Sequence, residues 1–597
     1  MALAFPDVYE VGMCHVGLKI LYDLLNRPPW LAAERVYCPW TDLEKALRDR
    51  RLPLTTMESG RALNEFDIVG FSLQHELSFT NVLTMLDLCG IPFLAEEREE
   101  AFPLIIAGGP ACFNPEPVAL LFDAMVIGDG EQAAMEICET VRESKKHHGT
   151  KSETLRALSR IRGLYVPRYF QVQYKPDGTI RGTSPLIPGY DKVRKAIVPD
   201  LNAFPFPERQ VVPFAELVHD RLAVEISRGC TRGCRFCQAG MIYRPVRERH
   251  PESVIRHAEN SLCLTGYEEI SLLSLSSGDY SGLGPLLGIL MDKQEAGKIA
   301  VSLPSLRVDS LDSAWFQEIK RVRKTGFTLA PEAGNERMRR ILNKGLTDEQ
   351  ILFTATEIYG AGWDLIKLYF MIGLPCEEDK DLEDIIRLAG KVARTSKSRG
   401  KVHVSVAAFV PKSHTPFMWR PQLSLSESRR RIQVIQKGMK DPRIRVKWNQ
   451  PEMSWLEGVF SRGDRRLTPV LFKAWQKGAR FDAWSEHFRL DLWQEAFRET
   501  KVDPAFYVHR ARSSDEVLPW DHILCGVSKE YLETEWKKAE KGEWTPDCRK
   551  EECLNCGVCD HREVQPILFK EWSAPEKKEP PLSEQAGLRP RRTRITF

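Results

Sequence analysis

The sequence lacks any apolar run of the roughly 18 residues that a bilayer-spanning helix needs. Its first residues, MALAFPDVYE, also lack the basic and apolar regions of a signal peptide. These two absences predict a cytoplasmic protein without a membrane partner. The sequence also lacks a large excess of charge of one sign, because the formal net charge is only +3. A value this small does not by itself indicate nucleic-acid binding.

The composition is that of an ordinary globular protein. Hydrophobic residues make up 43% of the chain and charged residues 28%, and a length of 597 residues predicts several domains. Fifteen cysteines are present. Because cytoplasmic thiols stay reduced, clustered cysteines in such a chain indicate metal ligands or catalytic groups rather than disulfides. Two tight clusters stand out.

Residues 1–143 alternate short apolar runs with amphipathic stretches, as parallel α/β units do. The five predicted strands are Ala2 to Phe5, Arg35 to Cys38, Asp67 to Leu73, Leu104 to Gly109 and Ala124 to Gly128. Helical patterns near 15–26, 41–50, 76–89 and 131–141 complete a doubly wound, Rossmann-like sheet. Residues 144–219 are interpreted as a linker wrapped on a neighbour, with a hairpin around Lys175 to Gly178.

The alternation returns between 220 and 420. Its six predicted strands are Leu222 to Ser227, Glu269 to Leu275, Ile299 to Leu303, Gly326 to Ala330, Leu365 to Ile372 and Val402 to Phe409. Helices are expected near 251–264, 310–323, 347–360 and 380–397. Six units are fewer than the eight of a closed barrel, so an open, partial (β/α)6 barrel is predicted. A mostly helical C-terminal region at 421–545, a Cys-rich metal site at 546–562 and a disordered tail at 573–597 complete the α/β organisation. The last residues, RTRITF, alternate like a strand that begins a further domain.

The first cysteine cluster lies in ISRGCTRGCRFCQAG, where Cys230, Cys234 and Cys237 follow a predicted strand at C-x3-C-x2-C spacing. Three thiolates can hold three irons of a 4Fe-4S cluster and leave the fourth iron open to a substrate. A structural zinc needs four ligands, and no fourth Cys or His lies within ten residues of the group. The spacing therefore favours a 4Fe-4S cluster.

This loop, with Phe236 before Cys237, resembles the signature of the radical S-adenosylmethionine (SAM) superfamily, and the following strands resemble its methylthiotransferase-like branch. The resemblance implies that the open iron binds SAM and that reduction cleaves SAM to methionine and a 5′-deoxyadenosyl radical. A flavodoxin- or ferredoxin-type reductant is implied with it. The residues implied to contact SAM are Phe236, Ser277, Gly278, Asp279, Arg307, Glu332 and Gly334.

The N-terminal sheet carries small and acidic residues where its strands end, which is where doubly wound sheets bind ligands. These residues are Ser72, Gly108, Gly109, Gly128 and Glu131. The stretch IAGGPACFNPEPVALLFDAMVIGDGEQ is similar to the cobalamin-binding domain of a radical SAM class, which implies cobalamin as a cofactor. The D-x-H-x-x-G motif that supplies a lower-axial histidine is absent from the chain. Cobalamin bound without that ligand and a domain that has lost the ligand both stay open; His15 and His75 are interpreted as packing or capping residues.

The second cluster reads C-x4-C-x2-C-x2-C through Cys548, Cys553, Cys556 and Cys559. Its first three cysteines have a ferredoxin-like spacing, whereas paired C-x2-C also suits a zinc knuckle. A second Fe-S cluster and a zinc are therefore equally open. The Trp and Arg residues before it could bind RNA, but they lack the pattern of a defined RNA-binding module.

Three functions remain open at this stage. The favoured one is a radical SAM enzyme that abstracts hydrogen from carbon, with methyl transfer from cobalamin as a further step. The second is cobalamin-independent radical modification of tRNA or of a ribosomal component, suggested by analogy with the methylthiotransferase-like branch. The third is a non-catalytic Fe-S scaffold. The sequence does not identify a substrate.

Overall fold

The computed structural model describes residues 1–297, 299–302, 327–396 and 400–573. The predicted SAM contact Arg307, the predicted helix at 310–323 and the predicted disordered tail from residue 574 onward lie outside the described residues.

The N-terminal part of the chain forms a six-stranded sheet in the order β2-β1-β3-β4-β5-β6. Its strands are β1 (Ala2–Phe5), β2 (Glu34–Tyr37), β3 (Ile68–Ser72), β4 (Leu104–Gly108), β5 (Ala124–Val126) and β6 (Leu164–Tyr165). The first five are parallel, and β6 runs antiparallel to β5. These five strands begin within one residue of their predicted positions, because buried apolar runs bounded by glycine and polar residues mark parallel strands clearly.

Helices connect the strands of this sheet. They are α1 (Tyr9–Gly12), α2 (Val16–Leu25), α3 (Thr41–Arg50), α4 (Phe79–Asp87) and α5 (Glu131–Lys146). Helices α2 and α5 contact each other, which places both on one face of the sheet. The carboxyl ends of the parallel strands thus lie beside the amino ends of α2 and α5.

Residues 144–219 contain more structure than the predicted linker. Helix α6 (Lys151–Leu158) precedes β6, and β7 (Phe170–Tyr174) pairs with β8 (Ile180–Pro185) in the predicted hairpin. Strand β9 (Val193–Arg194) pairs with β19 (Ile523–Leu524), far along the chain. This segment therefore extends the N-terminal sheet and also ties it to the C-terminal region.

Two parallel sheets follow, built from seven described strands. The first contains β10 (Leu222–Glu225), β13 (Glu269–Leu273) and β14 (Ala300–Ser302), and the second contains β15 (Phe327–Glu332), β16 (Leu365–Ile372), β17 (Lys401–Ala408) and β18 (Ile444–Trp448). Short strands β11 (Ser227–Arg228) and β12 (Arg247–Glu248) pair antiparallel beside them. The prediction of six strands is wrong in number: β18 lies in a region expected to be helical. Its five residues, IRVKW, are half exposed, so they lack the buried apolar run that marked the other strands.

Helices also follow the strands of this region. They are α7 (Ala239–Ile242), α8 (Pro251–Thr265), α9 (Leu283–Gly297), α10 (Glu336–Ile341), α11 (Asp348–Gly360), α12 (Asp379–Thr395) and α13 (Leu425–Gly438). In α12, Leu382, Ile385 and Val392 are buried at helical spacing and share one core with Ile366 and Val402 of the strands. Among the described residues, the helices therefore pack on one face of the β15–β18 sheet, whereas Lys367 and Tyr369 on its opposite face are exposed.

The C-terminal region packs against the N-terminal sheet. Its helices are α14 (Pro451–Ser461), α15 (Thr468–Gln476), α16 (Leu490–Thr500), α17 (Pro504–Val508) and α18 (Lys529–Lys541). Trp475 of α15 donates a hydrogen bond to Thr84 of α4 at 2.9 Å, and both regions share one buried core. In the part of the chain that the structure describes, we find no helix with the length and apolar character required to span a membrane.

Candidate functional site

The first three cysteines lie on a loop that directly follows β11. Gly233 has φ of 70°, a left-handed conformation that residues with a Cβ rarely adopt, and this turn brings Cys230 and Cys234 back toward Cys237. All three cysteines are half-buried and none forms a disulfide. Burial raises the pKa of the Cys237 thiol to about 12, and the neighbouring Cys234 and Cys230 thiols raise it further. The three thiols are thus close enough to act on one another, as ligands of one cluster would be.

Arg235, between the second and third cysteines, anchors the loop. Its guanidinium is fully buried, lies 3.1 Å from the carboxylate of Glu535, and donates to the carbonyl of Ile341 at 3.1 Å. The amide of Asn343 donates to the carbonyl of Gly233 at 3.3 Å. Helices α10 and α18 therefore hold the backbone of the loop, which is an arrangement that the motif alone did not reveal.

The predicted SAM contacts Ser277, Gly278 and Asp279 form a short turn after β13, in which Ser277 and Gly278 are buried. The Ser277 hydroxyl donates to the carbonyl of Leu272 at 3.0 Å. The Asp279 carboxylate accepts a hydrogen bond from Arg232 Nε at 2.8 Å and lies 3.3 Å from Arg549 Nη2. Burial disfavours this charge, but Arg232 and Arg549 hold the pKa of Asp279 well below its usual range. This carboxylate joins the cysteine loop to the C-terminal segment.

The predicted contacts after β15 have separate surroundings. Glu332 has φ of 66°, rare for a residue with a side chain, and its carboxylate lies 2.9 Å from Lys344 Nζ. Gly334 packs against the backbone of Ile385, and a Cβ at this position would collide with it. Phe236 packs against a buried apolar cluster of α10 and neighbouring segments. Lys344 therefore joins Glu332 to the segment whose Asn343 holds the cysteine loop, whereas close packing with α12 accounts for Gly334.

A cavity of about 460 Å³ lies between the N-terminal sheet and strands β10, β11 and β13. All five N-terminal residues predicted to bind a cofactor line it: Ser72, Gly108, Gly109, Gly128 and Glu131. Gly128 has φ of 109°, and a Cβ there would collide with the backbone of Ala196. Tyr243 and Leu275 line the opposite wall. The structure thus brings together residues that the sequence places on three separate strand ends.

Arg228 connects this cavity to the cysteine loop and was not predicted. Its guanidinium lies 2.7 Å from Glu131, 3.0 Å from Asp129 and 3.0 Å from Glu225. Burial opposes these charges, but Glu225 and the two other carboxylates raise the pKa of Arg228 well above its usual value. The residue stands just before Gly229 in the sequence, but its N-terminal partners lie about a hundred residues away, so no local pattern could have revealed the pairing.

His15 and His75 act as helix caps. His15 Nδ1 accepts a hydrogen bond from the backbone N–H of Leu18 at 3.0 Å, and burial lowers the pKa of its ring to about 4. His75 Nδ1 accepts from the backbone N–H of Leu77 at 3.3 Å. Both contacts satisfy an N–H at the start of a helical turn. The interpretation of these residues as caps is therefore supported by their hydrogen bonds.

His75 also belongs to a group with Glu76 and Glu457 whose ligand atoms lie within 4.8 Å of one another. Lys412 Nζ lies 2.8 Å from Glu76 and 2.7 Å from Glu457. An ammonium group in this position neutralises the two carboxylates as a bound cation would. The group is therefore a buried ion-pair network.

The four cysteines of the second cluster also lie close together. Burial raises the pKa of the Cys559 thiol to about 11; the thiols of Cys556, Cys548 and Cys553 raise it further, while Arg244 opposes them. His561 Nε2 lies 3.6 Å from Cys553 Sγ. This histidine is a further donor that the cysteine spacing did not indicate, and the metal at this site stays a prediction.

The two cysteine clusters are adjacent. The Thr231 hydroxyl, next to Cys230, donates to the carboxylate of Asp547, next to Cys548, at 2.6 Å. Arg244 follows α7 and donates to the carbonyl of Gly240 at 3.0 Å, while its charge acts on Cys559. Both clusters are therefore parts of one region of the molecule.

The fold and site together define a class of protein: an α/β protein whose three-cysteine loop lies shortly after the parallel strand β10, beside a second α/β domain. Residues 224–389 match the family model of the radical SAM superfamily, and residues 17–167 match the model of radical SAM proteins, N-terminal. The chain is a radical SAM enzyme, of a superfamily that uses a 4Fe-4S cluster and SAM. The prediction of this superfamily is confirmed.

Three relatives illustrate the similarity. An uncharacterized protein of Methanocaldococcus jannaschii, MJ0966, is 26% identical over 472 residues, covering 79% of this chain and 90% of that protein. The threonylcarbamoyladenosine tRNA methylthiotransferase MtaB of Treponema pallidum is 26% identical over 181 residues, covering 29% of this chain and 36% of MtaB. The ribosomal protein uS12 methylthiotransferase RimO of Thermosipho africanus is 23% identical over 279 residues, covering 44% and 64%. The methylthiotransferase likeness thus covers only part of each protein.

Two solved structures show distant likeness. The radical SAM methyltransferase TsrM of Kitasatospora setae, with cobalamin and a [4Fe-4S] cluster bound, is 12% identical with a TM-score of 0.47, over 70% of this chain and 76% of TsrM. The cobalamin-dependent radical SAM enzyme OxsB, with aqua-cobalamin bound, is 13% identical with a TM-score of 0.45, over 94% and 82%.

Proposed function

We propose that this enzyme cleaves SAM reductively at a 4Fe-4S cluster held by Cys230, Cys234 and Cys237, and that it transfers a methyl group with the help of cobalamin bound in the cavity between its domains. The observation that carries the proposal is the continuity of the two sites. Ser227 and Gly229 line the cavity and also a narrow pocket that contains Cys230. Two cofactors bound at these places would be neighbours.

The three thiols fit an Fe-S cluster by their chemistry. Thiolates are soft ligands that suit Fe-S clusters, and three of them leave one iron open for SAM. When bound, the reduced cluster supplies the electron that divides SAM into methionine and a 5′-deoxyadenosyl radical. The Gly240 N–H lies 3.4 Å from Cys237 Sγ and donates to it, which stabilises the thiolate form that a cluster needs.

The surrounding residues would orient SAM and exclude water. Phe236 offers an apolar surface beside the loop, and the ion pair of Glu332 with Lys344 supplies a fixed carboxylate near it. The buried turn at Ser277 presents backbone groups at the end of β13. These groups would hold the polar parts of SAM against the cluster, because a rigid polar site avoids the cost of reorganising water.

The cavity fits part of a large organic cofactor. Its walls are largely apolar, including Ile106, Val126 and Ile137, and its charged groups include Glu131 and Arg228. An apolar cavity with a few convergent polar groups is typical of cofactor sites. When bound as methylcobalamin, the cofactor would supply its methyl group to the substrate.

The experiment begins with anaerobic reconstitution with iron and sulfide, followed by SAM, dithionite and mass-spectrometric detection of 5′-deoxyadenosine. We expect product from the native protein and from Cys263→Ala, an exposed cysteine outside the loop, and none from Cys230→Ala. Equal product from Cys230→Ala and the native protein would overturn the proposed SAM cleavage.

The same preparations are incubated with hydroxocobalamin, gel-filtered and examined by visible absorption. The native protein should retain cobalamin, and Gly108→Leu should not, because the added side chain would occupy the cavity. Gly108 does not have positive φ, and a Cβ there meets Val126 only at 3.6 Å, so the backbone tolerates the change. A native protein that retains no cobalamin would refute the methyl-transfer part of the proposal and leave SAM cleavage standing.

A further inference from the structure

In the described part of the chain, helices pack on one face of the β15–β18 sheet and leave the other face, called here the open face, uncovered. Side chains alternate along a strand, so every second residue points away from the helical core. In β16 the buried residues Ile366, Leu368 and Phe370 belong to that core, whereas Lys367 and Tyr369 are exposed on the other face. Tyr369 is 43% exposed.

The open face is strongly basic. In the strand register, Lys367 lies beside His403 of β17, which lies beside Arg445 of β18. One row further, Tyr369 lies beside Ser405, which lies beside Lys447; Lys401 begins β17 on the same face. Alternation therefore gathers four permanent cations and a histidine on three neighbouring strands.

These cations act on one another. The pKa of His403 is lowered by burial and then by Lys447, Arg445, Lys367 and Lys401, so all four charges are within electrostatic reach of its ring. Within the described ranges, none of the four has an acidic partner within ion-pair distance. Like charges on neighbouring strands destabilise a sheet. An anionic ligand would remove this repulsion.

The basic face extends toward the cysteine loop. Met371 follows Tyr369 on the same face, and Met371 and Phe236 pack against one buried apolar cluster. Phe236 stands between Cys234 and Cys237. A chain bound along the cations would therefore continue toward the proposed site of radical formation.

We propose that this face binds a single-stranded segment of RNA, with backbone phosphates on Lys367, Arg445 and Lys447 and a base stacked on Tyr369. The inference rests on the proposed function, since the bound RNA would be its substrate. Strands β16 and β18 are separated by two strand spacings, about 10 Å, so the cations extend over more than one phosphate. Cations combined with an exposed aromatic ring are the usual means of holding unpaired bases.

The test measures fluorescence anisotropy of a labelled, random-sequence RNA of about 16 nucleotides, without SAM or reductant, over a series of salt concentrations. Each phosphate contact contributes about 0.7 to the slope of log affinity against log salt for a single strand. The double variant Lys367→Gln/Lys447→Gln should therefore lose about 1.4 from this slope. Its matched control, Lys437→Gln/Lys440→Gln, removes two exposed lysines at the end of α13 on the helical side and should keep the native slope.

The ring is tested separately. Tyr369→Ala should bind RNA about fivefold or more weakly, and Tyr369→Phe should restore binding, because stacking needs the ring and not the hydroxyl. An unchanged slope in the lysine variant or equal competition by polyglutamate would each overturn the inference. RNA binding is measured without SAM. A native protein that forms 5′-deoxyadenosine but does not bind RNA would therefore refute only this inference. The reverse result refutes only the proposed function.

Discussion

Replacing Arg235 with methionine tests how the buried ion pair holds the cysteine loop. The guanidinium is fully buried and its partner Glu535 is 2% exposed, so neither charge is solvated. The change leaves a buried carboxylate without its arginine. Removing one partner of a buried pair typically costs 3 to 5 kcal/mol.

The structure places the expected cost near the lower end of that range. Glu535 keeps a hydrogen bond from the Thr545 hydroxyl at 2.8 Å and an ion pair with Lys538 at 3.2 Å. We therefore expect a loss of about 3 kcal/mol in the free energy of unfolding. For a domain of roughly 200 residues this lowers the midpoint of thermal unfolding by about 6 to 12 °C.

The assay combines thermal unfolding, followed by circular dichroism, with the iron content after anaerobic reconstitution. Arg489→Met is the matched control, because Arg489 pairs with Asp491 on the surface, where both side chains are more than half exposed. Such a pair contributes at most about 1 kcal/mol. Arg235→Met should also bind less iron than this control, since it loosens the loop between Cys234 and Cys237.

A double variant, Arg235→Met/Glu535→Leu, separates the buried charge from the loss of packing. Replacing both partners with apolar residues removes the unpaired carboxylate, so this variant should be at least 1 kcal/mol more stable than Arg235→Met. The reasoning is refuted if Arg235→Met matches Arg489→Met in stability, or if the double variant is less stable than the single one.

Two further predictions concern pH and backbone conformation. Burial raises the pKa of Asp482 to about 6, so the folded state favours the protonated carboxyl. The protonated carboxyl therefore adds about 3 kcal/mol to the free energy of unfolding, relative to its charged form. This stabilisation is fully present below pH 4 and is lost as pH rises through 6. Asp482→Asn should therefore weaken the pH dependence of thermal unfolding between pH 4 and 7 in calorimetry, and an unchanged pH profile would contradict the expectation. Gly233→Ala places a Cβ at φ of 70°, costs about 1 to 2 kcal/mol and should lower the bound iron. Gly542→Ala creates the same strain at φ of 66° at the end of α18, with open space around it, and should leave the iron unchanged; equal iron loss in both variants would show that the loop is not specifically affected.

The spacing of the three cysteines in the chain was enough to predict that they lie together. Cys230, Cys234 and Cys237 lie within eight consecutive residues, so one turn of chain suffices to bring them together. The strands of the N-terminal sheet were equally clear, because parallel strands buried on both faces need continuous apolar runs. Strand β18 was missed for the opposite reason: charged residues alternate with apolar ones, and it is an edge strand of its sheet.

The sequence by itself determined the cysteine spacing, the superfamily and most strand positions, because each depends on residues close together in the chain. Only the tertiary structure decided what surrounds them. Arg228 meets Glu131 across 97 residues and Arg235 meets Glu535 across 300, so no periodicity or motif could pair them. The basic face on β16 to β18 likewise required strand register, since register alone determines which side chains become neighbours.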